Sequence, residues 1–161
     1  MSCLKTIVDN LILRLFENIN EDIDKNTLQK KVYLLQSMNI DLGYDFIWYL
    51  RGPYSQGLGE RISELPKEID NDYDKIMLRQ DILENIIIIN NLILLKPDNL
   101  NVEMWYRLLA SMTFININQY MWNNRWPNKS PEEILQSEMP IYAMEDCVEA
   151  QKVLKDMKHI Q

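Results

Sequence analysis

From residue 4 onward, apolar side chains recur at steps of three and four: Leu4, Ile7, Val8, Leu11, Ile12, Leu15 and Phe16 share one face. That period predicts a first helix over about 3–17 with a buried stripe. Asn18 to Asp24 is polar and acidic and reads as a loop. Asn26 and Gln29 stand three apart as a capping pair at the head of a second helix, whose buried stripe is Leu28, Val32, Leu35 and Met38. Gly43 then marks a turn, and Phe46-Ile47-Trp48-Tyr49-Leu50 has the aromatic and β-branched content of a short strand. Gly52 and Pro53 follow. Glycine tolerates a positive φ, and proline pre-sets the first turn of a helix, so Tyr49 to Ser55 reads as a rigid strand-to-helix turn. Leu58, Ile62 and Leu65 give the stripe of a short third helix that Pro66 ends.

The segment after Pro66 is acidic, and Tyr73 to Leu78 is read as a second short strand, paired with the first as a wing. Ile82, Ile86, Ile89 and Ile93 repeat at helical steps between Arg79 and Leu95, and the length of that run favours helix over strand. A further helix from about Asn101 to Ile115 buries Met104, Leu108, Met112 and Ile115. Trp122 and Trp126, four apart, pad the core edge of a helical extension. Ser130-Pro131-Glu132-Glu133 is a helix start with a cap, a proline at the first position and a returning acid. Pro140 ends that helix. The last helix carries Ala143, Cys147, Ala150, Leu154 and Met157 on a narrow seam suited to an intramolecular helix neighbour, with a homodimer as the other use of the same seam.

These elements predict a mainly α fold: a winged-helix-like helical domain with a small two-stranded β element and C-terminal helices. A chain of 161 residues suits one domain, residues 1–161, with a winged-helix-like part over about 1–80 and a helical part over about 81–161. The apolar share of 47% and charged share of 25% are those of a globular chain. The apolar runs around Ile86 to Leu95 are far shorter than the roughly 20 residues that span a bilayer. The start of the chain lacks the pattern of a secretion signal, so a cytoplasmic protein is expected. Cys3 and Cys147 read as two thiols, and the lone histidine, His159, has no partner spacing for zinc. Neither a Gly-x-Ser-x-Gly elbow, nor a phosphate-cradling glycine loop, nor a Cys/His couple occurs. A non-enzyme without cofactor or metal is therefore expected.

Function then rests on surfaces. The formal net charge of −7 speaks against phosphate backbone as a ligand, and the third helix sets Arg61 against Glu60 and Glu64. The expected partner is another protein. Tyr49, Arg51 and Tyr54, presented on the Gly52-Pro53 turn, form the candidate protein-binding surface, because aromatics and arginine carry much of interface energy. If Leu50 faces the core, Tyr49 and Arg51 face outward together. Lys30 and Lys31 read as a solvated helix face and supply a positive rim if the second helix packs alongside. The bland reading of the same residues is a tight connection and no more. A DNA-binding winged-helix regulator is the alternative function.

Several pieces of the chain resemble a known family. Leu28-Gln29-Lys30-Lys31-Val32-Tyr33-Leu34-Leu35, the stretch from Gly43 to Phe46, the turn Tyr49-Leu50-Arg51-Gly52-Pro53-Tyr54-Ser55, Leu108 to Ser111, and Met139-Pro140 through Glu149-Ala150 are similar to segments of the small prokaryotic YwgA-like proteins. They are more distantly similar to the Panacea (SocA-like antitoxin) domain. The resemblance implies a winged-helix-like helical fold and, for the Panacea branch, an antitoxin or adaptor role in bacterial or phage defence-type loci.

Overall fold

The computed structural model of the chain describes residues 2–17, 24–65 and 78–160. Within them lie helices α1 (Ser2–Phe16), α2 (Lys25–Ser37), α3 (Gln56–Ser63), α4 (Gln80–Asn91), α5 (Val102–Ile117), α6 (Gln119–Arg125), α7 (Pro131–Glu138) and α8 (Met144–Ile160). One antiparallel sheet joins β1 (Ile47–Tyr49) to β2 (Gly52–Tyr54). The fold is mainly helical with a small two-stranded sheet. No helix among the described residues is long and apolar enough to cross a membrane.

α5 is the centre. Trp105, Tyr106, Leu108 to Met112, Phe114 and Ile115 are all buried, so this helix is covered on every side. α2, α7, α8 and β2 pack around it, while α1 and α4 pack on α2 and on each other. The seam of α8 lies against α5 and α7, with Cys147, Ala150 and Leu154 buried. Gln151 and Asn116 exchange amide hydrogen bonds of 2.9 and 2.7 Å across the α5–α8 contact. The narrow seam is thus used inside the chain. Burial pushes the Cys147 thiol up to about 11, which keeps it protonated at neutral pH.

Several helix ends follow their chemistry closely. Ser130 and Glu133 form the expected capping box, with bonds of 3.2 and 3.0 Å. Asn101 caps α5 through the Met104 amide. α2 differs from expectation: Asp24 is its N-cap, accepting from the Thr27 amide at 2.7 Å and the Thr27 hydroxyl at 2.8 Å. Asn26 and Gln29 make no capping pair, because Gln29 is engaged elsewhere. The isoleucine-rich run is helical, but α4 gives way to a 3₁₀ turn over Leu92–Leu95. Tyr106 Oη donates to the Ile89 carbonyl, which also accepts from the Leu92 amide, and Trp105 Nε1 donates to the Leu92 carbonyl, so side chains of α5 bond the backbone where α4 ends.

The sheet pairs β1 with a segment that the sequence did not mark as a strand. β1 pairs with Gly52–Tyr54, in the register Ile47↔Tyr54, Trp48↔Pro53 and Tyr49↔Gly52. The stretch Tyr73 to Leu78, expected as the partner strand, lies outside the described residues except for Leu78. The Gly-Pro pair is therefore inside a hairpin rather than between a strand and a helix, and the reversal is made by Leu50 and Arg51.

Candidate functional site: a hairpin held by two helices

Proline governs the hairpin's hydrogen bonding. In an antiparallel pair, opposite residues alternate between exchanging both backbone bonds and exchanging none. Pro53 has no N–H, and its carbonyl accepts from Lys30 Nζ at 2.9 Å, so Trp48 and Pro53 form the non-bonded pair. The pairs Ile47–Tyr54 and Tyr49–Gly52 carry the bonds. Gly52 has φ +90, the left-handed conformation that closes the turn, and it is also a point of close approach: a Cβ there would stand 2.3 Å from Ser111 Oγ of α5.

α2 holds the hairpin by its backbone. The Gln29 side-chain amide donates to the Ser55 carbonyl at 2.8 Å and accepts from the Ser55 N–H at 3.0 Å. Seven residues on, Gln36 does the same at Tyr44, donating at 3.0 Å and accepting at 3.1 Å. Lys30 sits between them on Pro53. The limb from Tyr44 to Ser55 is thereby pinned at both ends and along β2. Ser55, fixed by Gln29, uses its own hydroxyl to accept from the Leu58 amide and start α3.

The lysine pair is the largest departure from the sequence reading. Lys30 is 1% exposed and Lys31 3%, so neither forms a solvated rim. Lys31 Nζ donates to the Phe16 carbonyl and to Asn90 Oδ1, both at 2.9 Å, and lies 4.9 Å from the centre of the Tyr106 ring. Lys30 has its pKa lowered to about 8, first by burial, with Glu103 opposing that shift and Arg107 and Arg51 adding to it. Glu103 is shared. Arg107 grips it with bonds of 2.6, 2.8 and 3.0 Å, and Arg51 Nη1 stands 3.8 Å from it. Three cations and one carboxylate therefore meet under the hairpin tip of an acidic protein.

The outward face of the hairpin limb is a period-two row. Asp45, Ile47, Tyr49 and Arg51 are exposed, while Tyr44, Phe46 and Trp48 between them are half-buried. Phe46 packs edge-on against Tyr33 with ring centres 5.1 Å apart. Trp48 packs at 5.4 Å from Phe114 and 5.0 Å from Trp122. Tyr49 is 56% exposed and Ile47 60%. Leu50 does not face the core: it stands at the tip and is 85% exposed. Tyr49 and Arg51 are both exposed, Tyr49 on the strand, where Trp48 rather than Leu50 is the inward anchor, and Arg51 in the turn. Tyr54 is half-buried, its ring 5.9 Å from that of Tyr49 and its hydroxyl over Gly59, where a Cβ would meet it at 2.6 Å.

Of the candidate residues, Tyr49 and Arg51 thus reach solvent, Tyr54 does so in part, and Lys30, Lys31, Gly52 and Pro53 form the frame beneath. Asp45 and Ile47 belong to the same outward face and were missed, although their alternation with Phe46 and Trp48 is visible in the sequence. Gln29, Ser111, Glu103 and Arg107 were also missed, although Glu103 and Arg107 stand at the i, i+4 spacing of a helical ion pair. No family model, curated protein or solved structure matches the chain.

Proposed function

We propose that the protein is a non-catalytic, protein-binding regulator of the antitoxin or adaptor type, acting in a bacterial or phage defence-type system and engaging its partner through the exposed hairpin face. The observation that carries this reading is the row Ile47, Tyr49 and Arg51, with Leu50 at the tip, exposed on a limb whose backbone is fixed by Gln29, Lys30 and Gln36. A rigid support lowers the ordering cost of binding, and a tyrosine beside an arginine over an apolar residue suits a protein surface. The reading fits a partner without nucleic acid. Burial removes Lys30 and Lys31 from any phosphate contact, and Arg61 in α3 is paired with Glu64 at 3.0 Å.

The test uses tagged protein expressed in its own host, followed by affinity measurement with the partner recovered. Tyr49→Ala and Arg51→Ala are expected to weaken capture by about 2 kcal/mol each while leaving the melting temperature nearly unchanged, since exposed ion pairs such as Arg51–Glu103 contribute about 0–1 kcal/mol to folding. Tyr54→Ala is a poorer probe, because its hydroxyl and ring pack on α3. Loss of stability without loss of affinity in the first two variants would retire the interface. In the same preparations, duplex DNA at physiological salt is expected to give no tight complex. A sequence-specific, salt-sensitive shift at nanomolar protein would replace this reading with that of a DNA-binding regulator.

A further inference from the structure

The charges under the hairpin tip do not balance. Among the described residues, Glu103 and Asp24 are the carboxylates whose charge reaches Lys30, against the cations Arg107 and Arg51. Asp24 is engaged at the start of α2, where it accepts from the Thr27 amide and hydroxyl. Both oxygens of Glu103 accept from Arg107. Arg51 is left with an ion pair to Glu103 at 3.8 Å, beyond hydrogen-bonding distance, and its guanidinium donates to no group among the described residues. It is also the member that solvent reaches: its side chain is 57% exposed, against 15% for Glu103 and 14% for Arg107. A planar fork of N–H donors without acceptors, set on a fixed turn above two buried cations, is built to take an anion.

The surroundings select which anion. Tyr49 and Leu50, next to Arg51 in the chain, are exposed. Tyr142 donates to the carbonyl of Met104, the residue after Glu103, at 2.7 Å, and its chain neighbour Ile141 is exposed as well. The cation thus stands beside apolar surface. We propose that the hairpin tip receives an aspartate or glutamate side chain of the partner protein, its carboxylate taken by the N–H fork of Arg51 and its apolar neighbours covering Tyr49 and Leu50. Glu103 competes little for Arg51, because Arg107 already neutralises it. A polyanion fits less well: Lys30 and Arg107 lie too deep to take a phosphate each, and the chain around them carries a net charge of −7. An acidic contact of this kind rests on the protein-binding reading of the same surface and names the group that the partner brings.

The test is selection of a displayed library of random peptides on the immobilised wild-type chain, with counter-selection on Arg51→Glu. The peptides that survive are expected to carry an Asp or Glu beside an apolar residue. As free peptides they should lose about 10–100-fold in affinity for Arg51→Glu, and about 3–10-fold for Arg51→Lys, which keeps the charge but not the fork. Replacing the selected acid by its amide should cost a similar factor on wild type and nothing further on Arg51→Gln, which marks a direct pair. The melting temperatures of these variants should stay near that of wild type, since an exposed ion pair adds little to folding. The wild type also gives a readout without variants: the Arg51 Nε–H resonance should shift with the acidic peptide and not with its amide. A library that yields no binder, binders without an acid, or losses on the two sides that simply add would overturn the inference. So would a duplex oligonucleotide that binds at physiological salt through Arg51 and displaces the peptides. The library holds no natural partner, so its failure leaves the Tyr49→Ala capture experiment standing, and failure of capture leaves the peptide result standing.

Discussion

Replacing Gly52 by Val is expected to destabilise the protein by about 3 kcal/mol or more, because two separate costs fall on one residue. The first is conformational: φ +90 is a region that a β-branched residue adopts only under strain. The second is steric, since the added Cβ would lie 2.3 Å from Ser111 Oγ, which is itself fully buried on the central helix α5. Neither side can yield cheaply. β2 is tied to α2 through Lys30 and Gln29, and Ser111 is packed in the middle of α5. The two costs can be separated. Ser111 Oγ is buried and has no hydrogen-bond partner among the described residues, so Ser111→Ala should be close to neutral by itself. Combined with Gly52→Ala, it should recover the steric part and leave the conformational part, roughly 1–2 kcal/mol. Thermal or urea unfolding of the four chains measures both. An unchanged midpoint for Gly52→Val would show that the hairpin is not held against α5 as described.

Most of the helices were legible because their signals are local. The i, i+3, i+4 stripes of α1, α3 and α4 and the cap at Ser130 act over one or two turns, and tertiary packing reinforced them. The hairpin was legible only in part. Phe46 to Leu50 has strand composition, but its partner is a Gly-Pro-Tyr sequence whose first two residues are among those most depleted from strands. Those three residues are held beside β1 by packing on α2 and α5, and such a cause is invisible to a local pattern. The same blindness explains Lys30 and Lys31. Charge alone places a lysine pair in water, yet each has a buried carbonyl within 2.9 Å, and those acceptors lie 23 and 15 residues away in sequence.

Leu50 shows how a correct conclusion can rest on the wrong anchor. Tyr49 is exposed because it alternates with Trp48 along β1, and Arg51 because it stands with Leu50 in the turn, so both reach solvent although Leu50 does not face the core. The alternation itself, extended back to Asp45, would have found the whole exposed row. Gln29 was assigned a capping role on its spacing from Asn26, whereas its amide has both a donor and an acceptor and matches one backbone N–H and C=O. Gln36 repeats that match at Tyr44, seven residues further along the same helix. Two glutamines at that interval beside a strand-like segment are a signal of backbone clamping that helix-start rules do not contain.

The buried Lys30 makes the second large effect one of pH. Its pKa is about 8 in the folded chain and about 10.5 in an unfolded one, so between those values the unfolded state binds more protons. Stability therefore rises as pH increases through this window, and the protonated lysine costs the fold about 3 kcal/mol at pH 7 relative to pH 10.5. Other groups act in the opposite direction at higher pH. The Cys147 thiol, raised to about 11 by burial, contributes stability that is present below pH 9 and lost between about 9 and 11. The hydroxyls of Tyr33, Tyr44 and Tyr142 are raised well above their ordinary value of 10, chiefly by burial, so their contribution is lost as pH rises beyond 10. The wild-type profile should rise from about pH 8, level off, and fall steeply above 10. Lys30→Met isolates the lysine, since it keeps an unbranched side chain one atom shorter, removes the titrating amine and leaves the other groups in place. The stability difference between wild type and variant should move in favour of wild type by about 3 kcal/mol between pH 7.5 and 10.5, with the deprotonated amine still able to donate to Pro53. Urea unfolding of the two chains across that range measures the difference directly. A constant difference would mean that Lys30 keeps an ordinary pKa and that the cluster of Arg51, Glu103 and Arg107 does not enclose it.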